Sequence, residues 1–386
     1  MTAQWRTYRT YAASLLIFLC SRLLVLLAIL YAANFVPANQ GSGYWNVDSR
    51  LRYLLRYDSG WYLRIAIQGY SYNGDDSIEH PVVFYPLYPL VGRFVSRFFG
   101  IEPYVAFLIV SNLSILIAIP LAFKLIKEDY GTRTALYAIA LLSFFPTSLF
   151  FSAGYTESLT FLLIICFFLF LKRDRFVFAS VCAGLATAAR PTGIVLLLPL
   201  LWEVWRRFSK EPKRLATYSL LCATLATSGL WLYTIYLWVV FRSPLAFVTA
   251  QRAWSQTGEF SKSSYPIQLL ICFRFLSSIL RTGIYPITLD PWFFFLFLLL
   301  IVFFRKRVPV VYSLFAAGVI LLPYLTLGGV LKMRSFTRYV MLAFPVFVII
   351  GDQLKGRFWL FLGLVIIFAA LLFGYTALFA QWYWAG

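Results

Sequence analysis

The stretch RFWLFLGLVIIFAALLFGYTALFA, residues 357–380, carries no charge after Arg357. A membrane-crossing helix needs about 20 predominantly apolar residues, and this run supplies them. Comparable runs recur through the chain, at 11–34, 104–126, 134–151, 155–171, 176–189, 193–205, 215–241, 291–304, 308–330 and 338–351. Composition agrees. Of 386 residues, 61% are hydrophobic and 13% charged, against about 45–50% and about 25% in soluble domains. The mean hydropathy is +0.78. These values exclude a soluble globular protein, a disordered chain and a disulfide scaffold. They predict an all-α polytopic membrane protein with about 11 transmembrane helices in one integral domain, residues 1–386. The run at 11–34 follows WRTYRTY, contains Arg22 and lacks a small-residue cleavage site, so it reads as a helix and not a signal peptide.

The polar connections differ on the two sides of these runs. KLIKEDYGTR, KRDR, WRRFSKEPKR, RKR and DQLKGR are short and basic, and with Arg6 and Arg9 they hold roughly half of the 34 Lys and Arg residues. The positive-inside rule makes that side cytoplasmic. The opposite side has two long loops, 35–103 and 242–290, and the short LKMRSFTR. The N-terminus is then expected inside and the C-terminus outside. The net charge of +19 is spread along loop flanks and not in one stripe, which excludes nucleic acid as the partner. Cys20, Cys166, Cys182 and Cys222 lie in apolar runs and Cys272 in an outer loop, with no zinc-site spacing. No nucleotide-binding glycine motif and no internal repeat occurs. Neither a metal nor another cofactor is expected.

Acidic residues number only 15, so each is informative. Glu128, Asp129, Asp174, Glu203, Glu211 and Asp352 sit among cytoplasmic bases and read as solvated helix ends. Six others, Asp48, Asp58, Asp75, Asp76, Glu79 and Glu102, fall in the first outer loop. Its centre is RYLLRYDSGWYLRIAIQGYSYNGDDSIEHPVVFYPLYPLVGRF, residues 52–94. Leu54, Tyr57, Trp61 and Ile65 recur at helical spacing, predicting an amphipathic helix over 50–68 at the membrane surface. Asp58 stands among Arg56, Tyr57, Trp61 and Tyr62. A carboxylate in aromatic surroundings suits a general base; the alternative is a helix cap or a pair with Arg56. His80, the one histidine, follows Glu79 and precedes Pro81, Pro86 and Pro89. It reads either as structural or, with Glu79, as a group that binds substrate or orients Asp58. Glu157 and Arg190 lie at the outer ends of apolar runs. Ionisable groups at such depth are functional hypotheses, against a mutual ion pair that fixes packing. Arg338, with Arg334 and Lys332, stands at the outer mouth of a late run. Converging arginines bind phosphate in a bidentate way; the alternative is snorkelling at the interface.

Taken together, these motifs resemble the PIG-V family of mannosyltransferases. YDSGWYLRIAIQGY is similar to the family's W-D-x-x-H-F-x-x-I-A-x-x-G-Y, matching Asp58, Ile65-Ala66 and Gly69-Tyr70. EHPVVFYPLYPL resembles E-H-x-x-x-F-F-P-x-F-P-L and matches Glu79, His80, Pro86 and Pro89. FFPTSLFFSAGYTESL, AARPTGIV and RYVMLAFP resemble later family segments and match Glu157, Arg190 and Arg338. The chain departs from the pattern at Tyr57, where the family has Trp, and at Gly60-Trp61-Tyr62, where it has His-Phe. The resemblance implies the GT-C fold, with membrane-parallel helices in the first outer loop. It implies an inverting transfer of mannose or a similar sugar from a polyprenyl-phosphate donor to a lipid-linked or glycan hydroxyl. Asp58 would be the general base. Tyr57, Trp61, Glu79 and His80 would orient the acceptor or the base, and Arg64, Arg190, Arg334 and Arg338 would hold the donor phosphate. Rival readings are a lipid or solute transporter or flippase, which also uses many helices and buried charges, an enzyme of this fold with another sugar or acceptor, and an inactive scaffold. Compact loops and an ending WYWAG, which is no ER-retrieval signal, lead to the expectation of a prokaryotic plasma membrane with the site on its outer face. In a eukaryote that face would be the ER lumen.

Overall fold

The structure, a computed structural model, describes residues 3–39, 50–253, 289–326 and 335–384. Asp48, Cys272, Lys332, Arg334 and most of the second long loop lie outside the described residues. No strand occurs among the described residues. The helices are α1 (Ala3–Phe35), α2 (Asp58–Gln68), α3 (Leu87–Phe99), α4 (Pro103–Phe144), α5 (Glu157–Leu171), α6 (Phe176–Ala189), α7 (Leu197–Phe208), α8 (Pro212–Ala226), α9 (Ser228–Phe241), α10 (Ala246–Thr249), α11 (Asp290–Phe304), α12 (Val310–Thr326), α13 (Phe336–Val340), α14 (Phe344–Gln353) and α15 (Phe358–Ala380). Short 3₁₀ segments at Arg50–Leu54, Ser148–Phe151 and Pro191–Leu196 connect some of them.

Each apolar run becomes helix, with breaks where local chemistry demands them. The runs at 104–126 and 134–151 join as α4, which kinks at Gly131 (φ 82°), a conformation that glycine adopts without steric cost. Pro191 starts a 3₁₀ turn that separates α6 from α7, because proline has no N–H for a helix interior and crowds the residue before it. The run at 215–241 divides into α8 and α9, bent by 54°. Among the described residues three helices are long and apolar enough to cross a membrane alone: the Tyr8–Phe35 part of α1, α4 and α15. The bent α8–α9 pair is long and apolar enough only when taken together, as a broken span or a re-entrant loop, and five apolar helices are shorter. The chain is an integral membrane protein.

The centre of the bundle is α4, against which α1, α5, α14 and α15 pack. Phe145, Phe150, Phe151 and Phe161 are fully buried around the irregular stretch between α4 and α5. That stretch leaves carbonyls without helical partners, and Arg22 of α1 supplies donors to them. Its guanidinium donates to Ser148 O (2.6 Å), Ser143 O (3.0 Å), Ser148 Oγ (2.8 Å) and Ser152 Oγ (3.2 Å). Non-helical backbone inside a bilayer survives only when protein satisfies it, so Arg22 belongs to the scaffold.

Helices α6 and α9 approach through glycine. A Cβ on Gly229 would lie 2.3 Å from Ala188 N and 2.4 Å from Gly184 O. Backbone cannot yield as a side chain does. Gly229→Ala is expected to destabilise the fold by about 1–3 kcal/mol, as overpacking does. Gly363→Ala, whose Cβ would meet nothing within 4 Å, is expected to change stability by less than about 1 kcal/mol. Thermal unfolding of both variants in detergent checks this; equal melting shifts would contradict the close approach.

Candidate active site

The expected helix over 50–68 is broken. A 3₁₀ turn ends at Leu54, and α2 starts at Asp58. Between them Tyr57 has φ 52° and ψ −115°, a region that non-glycine residues enter at a cost and that concentrates at functional sites. Its neighbours hold it there. The Tyr57 ring packs against Phe379, Trp382 and Trp384 at centroid distances of 5.8, 5.2 and 4.8 Å. Arg56 donates to Ala380 O (3.0 Å) and lies 4.5 Å from the Trp382 ring. Burial, with Arg52 nearby, pushes the Arg56 guanidinium down to about 10, still a cation at neutral pH. Tyr155 Oη donates to Arg56 O (3.0 Å) and accepts from the Asp58 N–H (3.3 Å). The end of α15 and Tyr155 therefore set where α2 begins and where Asp58 sits.

Asp58 does not pair with Arg56. Its Oδ2 accepts from Arg338 Nη1 at 2.9 Å, and its Oδ1 has no hydrogen-bond partner among the described residues. Arg338 Nε lies 3.3 Å from Glu157 Oε1, close enough for an ion pair but not aligned as a hydrogen bond. Glu157 Oε1 also accepts from Arg190 Nη1 at 2.7 Å. Four side chains from α2, α13, α5 and the end of α6 thus form one alternating chain, Asp58–Arg338–Glu157–Arg190, with no net charge. Three are buried: side-chain exposure is 8% for Arg338, 1% for Glu157 and 8% for Arg190, against 23% for Asp58.

Local sequence explains each position. Glu157 opens α5, where the helix dipole favours an anion. Arg190 precedes Pro191 and is extended (φ −154°, ψ 146°), as pre-proline residues tend to be, so it ends α6. Its guanidinium lies 5.2 Å from the Tyr339 ring. Arg338 sits on the short α13, ringed by Phe150, Tyr155, Tyr339 and Trp384 at 5.4–5.6 Å. Such faces attract a cation.

The remaining candidates stand around this chain. Trp61, buried on α2, stacks on Phe84 (5.8 Å, 16°) and carries Arg64 over its ring at 5.4 Å. Arg64 forms no ion pair among the described residues. His80 is buried, with Nε2 2.8 Å from Asp75 O and its ring edge-on to Tyr72. It holds the 70–80 loop, as does Asp75, whose carboxylate the Ser77 hydroxyl and N–H keep below its usual range. Glu79 is half-buried beside His80. Arg334 lies outside the described residues. Among the described residues no three His, Cys, Asp or Glu side chains converge as a metal site.

One residue escaped the sequence reading. Asp290, 3% exposed, opens α11 and accepts from the Thr337 N–H (2.6 Å) and the Thr337 hydroxyl. On the other side Thr147 Oγ1 donates to Thr337 O (3.1 Å). The residue before Arg338 is thus clamped from α11 and from the stretch after α4. The signal was available: a lone carboxylate at the head of the apolar run LDPWFFFLF, the same pattern that singled out Glu157.

Removing one partner from a buried ionic network costs about 3–5 kcal/mol, because it strands the other charges. Glu157→Gln is expected to lose stability of that order, since two buried guanidiniums then face each other. Glu211→Gln, which breaks the exposed Arg214–Glu211 pair (67% and 48% exposed), is expected to cost no more than about 1 kcal/mol. Denaturation in detergent measures both, and a mild Glu157→Gln would remove the network as a structural element.

No family model matches the sequence, and no curated protein matches it either. Solved structures do. The apo crystal structure of the Archaeoglobus fulgidus oligosaccharyltransferase aligns with 98% of this chain and 56% of its own, with TM-score 0.52 and 14% identity. The crystal structure of ArnT from Cupriavidus metallidurans bound to undecaprenyl phosphate aligns with 92% of this chain and 61% of its own, with TM-score 0.49 and 15% identity. The chain thus spans little more than half the length of the oligosaccharyltransferase it is similar to. At such low identity the oligosaccharyltransferase likeness speaks for architecture alone, and it covers nearly the whole chain: the fold is the GT-C fold.

Proposed function

We propose that this chain is a membrane glycosyltransferase. It would move a sugar from a polyprenyl-phosphate donor to a hydroxyl of a lipid or glycan acceptor, with inversion at the anomeric carbon. The observation that carries the reading is Asp58. It heads the first helix of the outer loop, its Oδ2 is held by a buried arginine, and it is the most exposed member of the ionic chain. The oligosaccharyltransferase that shares the fold is itself a transferase of glycans, and the resemblance of the outer-loop motifs to mannosyltransferases makes mannose the first sugar to test.

In the proposed step the acceptor oxygen attacks the anomeric carbon from the face opposite the phosphate. The Asp58 carboxylate takes the acceptor proton through Oδ1, while Arg338 keeps Oδ2 in place. The carbon–oxygen bond to phosphate breaks with its electron pair, and polyprenyl phosphate departs. Charge grows on that phosphate as the bond breaks, and preorganised cations stabilise it. A guanidinium has five N–H donors, so Arg338 has donors beyond the one spent on Asp58. Arg64, on the helix that Asp58 begins and without an acidic partner among the described residues, is a second candidate. Glu157 and Arg190 hold Arg338 from behind. Trp61 and Tyr57 would bound the acceptor, and His80 with Glu79 would shape the loop above it. The site would face outward from a prokaryotic plasma membrane.

Purified protein with labelled polyprenyl-phosphate mannose tests the reading. Transfer or slow hydrolysis is expected, whereas lipid movement without sugar release would make the chain a carrier. Asp58→Asn is expected to lower turnover about 10²–10⁴-fold, the usual contribution of a general base, while donor still binds. Near-normal turnover in that variant would overturn the base assignment. Arg338→Ala is expected to impair transfer far more than Arg357→Ala, and equal small effects would remove Arg338 from the site.

A further inference from the structure

Helix α3 has two faces. Tyr88, Gly92 and Ser96 form a buried row against α4. Tyr88 Oη lies 3.0 Å from Phe107 O and 2.7 Å from Ser111 Oγ, and a Cβ on Gly92 would lie 2.8 Å from the Phe107 ring. The opposite row is Leu90, Phe94 and Phe98, exposed by 55%, 64% and 69%. Phe94 and Phe98 stack at 5.6 Å. Arg93 and Arg97, one turn apart, flank this row, and Leu90, Arg93, Phe94, Arg97 and Phe98 together line one wide, shallow groove.

Two features of the groove favour an anionic ligand. Like charges four residues apart on a helix repel. Neither Arg93 nor Arg97 has an acidic partner among the described residues, and Glu102, just past the turn, pairs with neither. The groove also sits at a defined depth. Helix α3 ends at Gly100 (φ 63°), and the spanning helix α4 starts at Pro103. The last turns of α3 are therefore level with the end of a membrane span, where lipid headgroups lie. Guanidinium matches phosphate in bidentate geometry, and the phenylalanine row offers an apolar track on the bilayer side. A zwitterionic lipid brings its own cation and leaves part of the arginine charge uncompensated, whereas an anionic lipid does not.

We propose that the Arg93–Arg97 face of α3 binds one anionic phospholipid, its phosphate between the two guanidiniums and its acyl chains along Leu90, Phe94 and Phe98. The site is separate from the Asp58 chain and independent of the proposed transfer.

Native mass spectrometry of the full chain in neutral detergent, titrated with phosphatidylglycerol, phosphatidylcholine and undecaprenyl phosphate, tests it. Wild type is expected to bind one phosphatidylglycerol at least about tenfold more tightly than phosphatidylcholine, given what each basic residue contributes at a lipid surface. Arg93→Gln with Arg97→Gln is expected to abolish that preference, and the double Arg→Lys variant to retain part of it. Both changes are at the surface, and an unshifted melting temperature shows that the fold is intact. Equal binding of the two phospholipids would overturn the proposal. So would a preference unchanged in the Gln variant, displacement of phosphatidylglycerol from this face by undecaprenyl phosphate, or a dimer that forms through it without lipid.

Discussion

Four charges where α5 begins and α6 ends, three of them buried, constrain much of what surrounds them. Isolated, any of Arg190, Glu157 or Arg338 would cost several kcal/mol in a low-dielectric interior. Joined as Arg190–Glu157–Arg338–Asp58, they alternate in sign and are neutral together. That requirement brings the ends of α5 and α6, the start of α2 and the short α13 to one place. It also leaves a residue of unmet bonding: Glu157 Oε2 and Arg338 Nε are buried without a hydrogen-bond partner among the described residues. Unsatisfied polar atoms of this kind are unusual in native proteins and concentrate where function keeps them.

The backbone follows the same logic. In a bilayer every carbonyl and N–H needs a partner inside the protein. Helices provide this for themselves, but the site needs irregular backbone to aim its side chains. The stretch after α4 is irregular and draws its donors from Arg22. The entry to α13 bends at Ser335 (φ 66°), and the first turn of that helix is held at Thr337 by Asp290 and Thr147. The break before α2 is irregular and is held by Tyr155 and by the end of α15. Three side-chain devices, all remote in sequence, support three departures from helix around the Asp58–Arg338–Glu157–Arg190 chain.

The first long loop shows both the reach and the limit of periodicity. The spacing of Leu54, Tyr57, Trp61 and Ile65 marks a helix, of which the part from Asp58 on forms, with Trp61 and Ile65 buried. It does not mark the break at Tyr57, because a positive φ in a non-glycine residue is imposed by neighbours such as Trp382 and Trp384. Glu157, Arg190 and Arg338 are each conspicuous as charges at the edge of apolar runs, and Asp58 as a carboxylate among aromatics in the first long loop. For Glu157 and Arg190 the alternative of a mutual pair was open, and the two do pair. For Asp58 the expected alternative partner was Arg56, the nearest cation in the chain, and the partner is Arg338.

The sequence by itself determined the class: apolar runs of membrane length, their basic flanks, and the few ionisable residues that a bilayer protein would not retain idly. It determined them because the bilayer acts on each segment independently, through length and transfer energy alone. Only the tertiary structure decided which of those residues meet. Asp58 and Arg338 are separated by 280 positions, and helical periodicity tells which face of a segment is apolar but not which neighbour that face will find. The role of Asp290 is of the same kind. Its carboxylate has meaning only once α11 lies beside Thr337, and that adjacency arises from packing across a stretch of chain that carries no local signal of it.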